Sequence, residues 1–215
     1  MGAIIMKKSI FIFCIGACIA TTAIGAEAPL DCNIQQPTAQ KHAQCRLLTY
    51  QQSRKNNPDV LAGARRKIKQ GDHYFKIKDY DNAYEAYDLA RINGINPYAY
   101  IRMGDTVVAP LATATEFWGD DIKENGACLT PRHFNDLVNL TLTDTWEVGA
   151  ELAKILKTPP VVSRAMIAKT EKKMRCMREL AAHYNQTKPA CVDLAKVDAC
   201  YTGVAAKAAE AKKVR

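Results

Sequence analysis

The residues best suited to chemistry form an acidic cluster near the middle of the chain. Its members are Glu116, Asp120, Asp121 and Glu124, with Trp118 among them. Paired carboxylates beside an aromatic ring act as general acid and base in many glycosidases. Carboxylate pairs also arise by chance in any acidic segment. A solvated acidic loop is therefore the main interpretation, and a small hydrolase is the alternative.

Other catalytic or cofactor-binding patterns are absent from the sequence. There is no P-loop, no G-x-G-x-x-G and no C-x-x-C pair, and the four histidines are scattered at positions 42, 73, 133 and 183. No histidine belongs to a recognised protease or nucleophile-elbow motif. We therefore predict no catalytic residue, no metal ligand and no cofactor.

The first 26 residues have the three-part pattern of a secretory signal peptide. Two lysines precede an uncharged, mostly apolar stretch over 9–23, and small residues end at Ala26. We predict cleavage after Ala26 and export to the periplasm or the medium, from an opening typical of a bacterial protein. The alternatives are an uncleaved N-terminal anchor and a lipid anchor at Cys18. No later segment has the apolar length to cross a bilayer.

An even number of cysteines follows the predicted signal peptide, which in an exported chain indicates disulfides. The six are Cys32, Cys45, Cys128, Cys176, Cys191 and Cys200. Many pairings of six cysteines are possible. Because short loops close at the lowest entropic cost, we favour local bridges at Cys32–Cys45 and Cys191–Cys200, which leaves Cys128–Cys176.

Charge is distributed unevenly along the chain. Residues 41–79 carry a net charge of +7, residues 80–151 carry −8, and residues 152–215 carry +9. Either basic and acidic faces pack together within one domain, or a basic surface meets an acidic partner or an anionic polymer. Nucleic acid is an unfavourable partner because the chain is predicted to be exported and has no nucleic-acid-binding motif.

Helical periodicity dominates after an extended segment at 27–37. We predict helices over 38–54, 59–78, 81–93, 98–105, 131–157, 161–185 and 192–212, with 106–130 the least regular stretch. Asp59, Asp81 and Thr130 are placed to cap helix starts, and Gly94 to end one. The sequence predicts an all-α fold, with one helical domain over 38–187 and a basic, cysteine-containing helix over 188–215.

One stretch of this pattern predicts a tightly packed helical hairpin. Gly71 and Ala83 are small, so two antiparallel helices can approach closely there. Tyr74, Tyr87 and Ala90 would fill the seam between the two helices.

This stretch resembles a tetratricopeptide repeat, or its Sel1-like relative, over about residues 60–105. The matching positions are Gly71 and Tyr74 in the first helix, Ala83, Tyr87 and Ala90 in the second, Pro97 as a displaced closing proline, and Gly104 as the glycine of a following repeat. The following repeat is incomplete, because Glu116, Asp120 and Lys123 fall where small and aromatic residues belong. Since one repeat cannot bury its own core, the flanking helices would complete a right-handed stack stabilised by about three disulfides.

The resemblance implies a protein-binding module that is not an enzyme. Its partner would contact the first helix of each hairpin at Arg65, Asp72, Phe75 and Lys76, and at Tyr98 in the next hairpin. We expect a scaffold or assembly factor of a bacterial envelope, secretion or pilus apparatus, bound to a protein or peptide. The alternatives are a secreted effector or toxin-like protein, and an envelope-polymer hydrolase that uses the carboxylates near Trp118.

Overall fold

The computed structural model describes residues 38–53, 58–112 and 128–203, and most of these residues are helical. The helices are α1 Ala39–Ser53, α2 Pro58–Lys76, α3 Tyr80–Gly94, α4 Pro97–Val108, α5 running from Pro131 to Ile155, α6 Arg164–Thr187 and α7 Leu194–Thr202. No strand occurs in the described ranges, so the predicted all-α fold is confirmed there. The predicted signal peptide, Cys18, the segment 27–37 and the acidic cluster at 116–124 lie outside these ranges.

Helix starts follow the capping chemistry of the sequence, with two corrections. The Asn96 side chain accepts a hydrogen bond from the Tyr98 amide at 2.9 Å, and Pro97 occupies the first turn of α4. Thr130 caps α5 in the same way, through the His133 amide. The predicted cap at Asp81 is wrong, because Asp79 caps α3 instead. The predicted cap at Asp59 is also wrong, because α2 begins at Pro58 and Asp59 lies within its first turn.

Helix ends differ from the predicted ones most clearly in α4 and α7. Helix α3 does end at Gly94, but the left-handed residue that stops it is Ile95. Helix α4 runs to Val108 and continues as a 3₁₀ turn over Ala109–Ala112, into the stretch predicted to be least regular. Helix α7 ends at Thr202, ten residues before the predicted end, because Gly203 adopts a positive φ of 75°.

Helices α2 and α3 form an antiparallel hairpin in which small residues face bulky ones. A Cβ atom placed on Gly71 would lie 2.6 Å from the Tyr87 ring, and one placed on Gly94 would lie 2.7 Å from the Ala64 Cβ. Both pairs belong to one antiparallel register. The small and aromatic positions of α3 are completely buried in this seam. They are Ala83, Tyr87 and Ala90.

Helices α4 and α5 form a second antiparallel pair with a similar contact. A Cβ on Gly104 would lie 2.5 Å from Cδ1 of Trp146, and one on Gly149 would lie 2.9 Å from Cγ1 of Ile101. The aromatic partner of Gly104 therefore comes from beyond residues 109–130, and not from Asp120, where the repeat spacing places it. An insertion separates the two helices of the second hairpin.

The middle of α5 is π-helical from Leu137 to Glu147, between α-helical segments at Pro131–Asp136 and Val148–Ile155. In a π-helix the backbone bonds span five residues, so the buried positions Leu137, Leu142 and Trp146 recur at wider intervals. An α-helical period would place Leu140 on the inner face with Leu137. Leu140 is instead 65% exposed.

Two disulfides join α6 to α7 and the segment before α7 to the segment before α5. Cys176 in α6 bonds Cys200 in α7, and Cys128 bonds Cys191, with Cα–Cα distances of 5.5 and 5.2 Å. The predicted Cys191–Cys200 and Cys128–Cys176 pairs are therefore wrong, because packing of α7 along α6 outweighs loop length. Cys45 is also disulfide-bonded, while Cys32, its predicted partner, lies outside the described residues.

Helix α1 packs against the C-terminal part of α5 around a small apolar cluster. Ala43 of α1 is fully buried there beside Tyr100, Val148 and Leu152. Within the described ranges, no helix combines the length and apolarity needed to cross a membrane.

Candidate partner-binding site

The best-formed polar site lies where α2 passes alongside α4. Asp72 and Phe75 are nearly one turn apart on α2, and Tyr98 and Arg102 are one turn apart on α4. All four side chains are partly exposed. We call this set the α2–α4 groove.

The groove is held together by hydrogen bonds to one carboxylate oxygen. Asp72 Oδ1 accepts from the Tyr87 hydroxyl at 2.6 Å and from the Tyr98 hydroxyl at 2.8 Å. Arg102 donates from Nε to the Tyr87 hydroxyl at 3.3 Å, and its guanidinium lies 3.8 Å from the Phe75 ring centroid. The guanidinium thus lies over the Phe75 ring and donates to the Tyr87 hydroxyl, and these two contacts fix its position.

The two phenols remain protonated donors at physiological pH. Burial, with the hydrogen bond to Asp72 acting in the same direction, raises the pKa of Tyr98 to about 12 despite the nearby Arg102. Burial and the Asp72 hydrogen bond also raise the pKa of Tyr87. Both hydroxyls therefore donate to Asp72, and the Oδ1 that accepts from Tyr98 is directed toward α4.

The site continues inward as a buried charge network. Asp105 Oδ2 lies 2.9 Å from Arg102 Nη1, and Asp105 Oδ1 lies 2.9 Å from Lys173 Nζ of α6. The Lys173 ammonium is 4.2 Å from the Tyr201 ring centroid and 5.2 Å from that of Trp146. Burial alone would lower the pKa of Arg102, but the Asp105 carboxylate, together with the Tyr87 and Tyr98 hydroxyls, more than offsets this and the pKa is raised.

The structure brings together three of the five residues predicted to bind a partner. Asp72, Phe75 and Tyr98 meet around Arg102. Arg65 and Lys76 lie on the same side of α2 but point into solvent, and within the described residues neither forms an ion pair.

Sequence reasoning missed the inner residues of this network for two reasons. Arg102 had a usable signal, because it lies one turn after Tyr98 on the same helix face. Lys173 and Tyr201 had none, because their contacts with α4 and α5 join residues far apart in the sequence.

A second polar cluster joins α1, α5 and α6 around a cleft of about 630 Å³. His42 Nδ1 lies 3.1 Å from Asp144 Oδ1, and His42 Nε2 accepts from Arg46 Nε at 3.2 Å. Burial lowers the pKa of His42, although Asp144 opposes the shift. Nε2 is occupied by the Arg46 hydrogen bond and Nδ1 lies beside the Asp144 carboxylate, so the histidine links α1 to α5.

The remaining chemical predictions concern metal binding and the acidic cluster around Trp118. Across the residues that the structure describes, no three or more His, Cys, Asp or Glu side chains are grouped to hold a metal ion. Glu116, Asp120, Asp121 and Glu124, the carboxylates of the hydrolase alternative, lie outside those residues. Comparison of the chain with protein-family models, curated proteins and solved structures finds no match.

Proposed function

We propose that this chain is an exported protein-binding module with tetratricopeptide-like hairpins, serving as a scaffold or assembly factor in a bacterial envelope, secretion or pilus apparatus. The supporting observation is the glycine-on-aromatic contact that occurs in both hairpins, at Gly71–Tyr87 and at Gly104–Trp146. Tetratricopeptide repeats bind partners along their first helices, which would be α2 and α4 here. The groove between these helices carries charge and aromatic surface together.

Two further features are consistent with this function. Disulfide bonds form and persist in oxidising compartments, which suits export. The aromatic and guanidinium groups of the groove are rigidly held, and rigid anchors lose little conformational entropy when a partner binds. A partly exposed Phe75 beside a fixed Arg102 has the composition of an interface centre.

The first experiment is crosslinking of the tagged protein in its native cell envelope, with captured proteins identified by mass spectrometry. One stoichiometric set of envelope proteins is the expected result. Tyr98→Ala removes one of the two partly exposed aromatic rings of the groove and should abolish capture while leaving the circular dichroism spectrum unchanged. Accumulation in the medium with nothing captured would reject the scaffold and favour a secreted effector.

A further inference from the structure

Helix α2 presents a line of unpaired cations beside the α2–α4 groove. Arg65, Lys69 and Lys76 are all exposed and, within the described residues, form no ion pair. At 100° per residue their spacing of four and eleven places them within an arc of about 40°. They extend over about 16 Å of the helix axis, at 1.5 Å per residue. We call these three residues the α2 stripe.

One acidic residue shares this face without neutralising it. Asp72 lies at the same angle on the helix wheel as the stripe. Its Oδ1 accepts from two tyrosine hydroxyls and lies 3.8 Å from Arg102 Nε, so the carboxylate is held toward α4. The stripe, with three cations and this one acid, therefore keeps a net positive charge along α2.

Helix α6 carries a different pattern of charge. Its exposed cations share the helix with two exposed acids, Glu171 and Glu179. Arg178 is paired with Glu147 at 2.5 Å, and Glu171 is paired with Lys154 at 3.1 Å. One exposed cation of α6, Arg178, is thus held in an ion pair, whereas within the described residues no cation of the α2 stripe is.

We propose that the α2 stripe binds an acidic segment of a partner protein laid along α2. Three cations in a line over about 16 Å match side-chain carboxylates repeated at helical spacing, whereas a single terminal carboxylate would meet only one of them. Phe75 and Tyr98 lie beside the stripe and would receive an apolar residue of the same segment. The inference rests on the proposed function and specifies the chemistry of the partner.

The test uses fluorescence anisotropy with synthetic helical peptides of about 16 residues, the length that matches the stripe with a turn to spare. One peptide carries glutamates at helical spacing, a second carries glutamines at the same positions, and both have blocked ends. The glutamate peptide should bind, and its affinity should fall severalfold between about 20 mM and about 200 mM NaCl as screening increases. Equal binding of the glutamine peptide would overturn the proposal.

Two charge-reversed variants with the same net charge locate the binding site. Lys69→Glu with Lys76→Glu reverses the stripe and should weaken binding by about tenfold or more, the effect expected for two reversed contacts. Lys169→Glu with Lys172→Glu reverses two exposed lysines of α6 and should change the affinity less than about twofold. Equal losses in both variants would show that overall charge, and not the stripe, attracts the peptide.

Two more outcomes distinguish the inference from its rivals and from the proposed function. Binding only by a peptide with a free terminal carboxylate, or self-association of the protein at low salt, would overturn the side-chain carboxylate proposal. If the stripe-reversed variant still captures the envelope partner of the wild type, the function stands and the acidic-segment inference fails.

Discussion

The two helical hairpins share one kind of contact but depend on different parts of the chain. In the first, Gly71 packs on Tyr87 and α2 is joined to α3 by a three-residue turn. In the second, Gly104 packs on Trp146, which follows an insertion over 109–130. The first hairpin is determined locally, whereas the second requires contacts between distant segments.

The acidic residues of the two hairpins show the same contrast. Asp72, in the first hairpin, has a side chain that is 42% exposed, so water solvates part of its charge. Asp105, in the second, is 6% exposed and neutralises both Arg102 and Lys173. In the second hairpin, interactions from α6 and α7 thus provide the stabilisation that packing between residues close in sequence provides in the first.

The largest difference is expected from matched asparagine substitutions. Asp105→Asn removes the charge that two buried cations share and should lower the free energy of unfolding by about 3–5 kcal/mol. Asp72→Asn keeps an oxygen acceptor for both tyrosine hydroxyls at a half-exposed position and should cost less than about 1 kcal/mol. Urea unfolding followed by circular dichroism measures both values.

A rescue variant tests the cause of that loss. Adding Lys173→Met to Asp105→Asn removes the unpaired ammonium and should recover part of the stability, because a methionine fits the apolar contacts with Trp146 and Tyr201. No recovery in the double variant would mean that the carboxylate acts mainly through Arg102.

Removing the disulfides should affect the second hairpin more than the first. Cys176→Ala with Cys200→Ala, and Cys128→Ala with Cys191→Ala, should each cost about 2–4 kcal/mol. Both bridges lie within residues 128–200, outside α2 and α3.

Native-state hydrogen exchange identifies the helices that lose stability when the disulfides are removed. Protection should decrease most in α6 and α7, while the amides of α2 and α3 keep a larger share of theirs. A uniform loss of amide protection across the helices would mean that the hairpins unfold as one unit and do not differ in stability. Reduction of the wild-type protein should likewise lower its melting temperature sharply.

The contrast also explains how much the sequence alone predicts. The all-α fold, most helix starts and the positions of the first hairpin depend on residues close in sequence, such as Asn96 with Pro97. The disulfide pairing was wrong because it depends on how α7 lies against α6. The exposure of Leu140 was unforeseen because the wider π-helical turns of α5 shift the buried face. Asp72 and Tyr98 were identified, but Lys173 depends on a contact between residues 68 positions apart.

Glycine substitutions should produce a smaller effect that still ranks the hairpins. Gly104→Ala and Gly71→Ala each insert a methyl group against a buried ring and should cost about 1–3 kcal/mol through overpacking. Gly104→Ala should be the more costly, because Trp146 is stacked on Tyr201 and is less able to move.

Gly63→Ala is the matched control within α2. A Cβ there meets only the tip of the Arg66 side chain, at 3.9 Å. It should therefore stabilise the protein by up to about 1 kcal/mol through helix propensity. A destabilising Gly63→Ala, or harmless substitutions at both packed glycines, would contradict the glycine-on-aromatic account. Thermal melts of the three variants give the ranking.

The smallest expected effect is a pH dependence of stability that comes from His42, where α1 contacts α5 of the second hairpin. Because burial lowers the pKa of His42, the folded protein disfavours the protonated imidazole. The unfolded chain therefore binds more protons below about pH 6.5, and the stability present above that pH is lost as the pH falls through the folded pKa. Protonation would also remove the nitrogen that accepts from Arg46.

Urea midpoints measured between about pH 5 and pH 8 should show this slope in the wild type and lose it in His42→Gln, while His73→Gln, an exposed control, should retain it. A slope that persists in His42→Gln would assign the dependence to other groups and leave α1 attached by its apolar contacts alone.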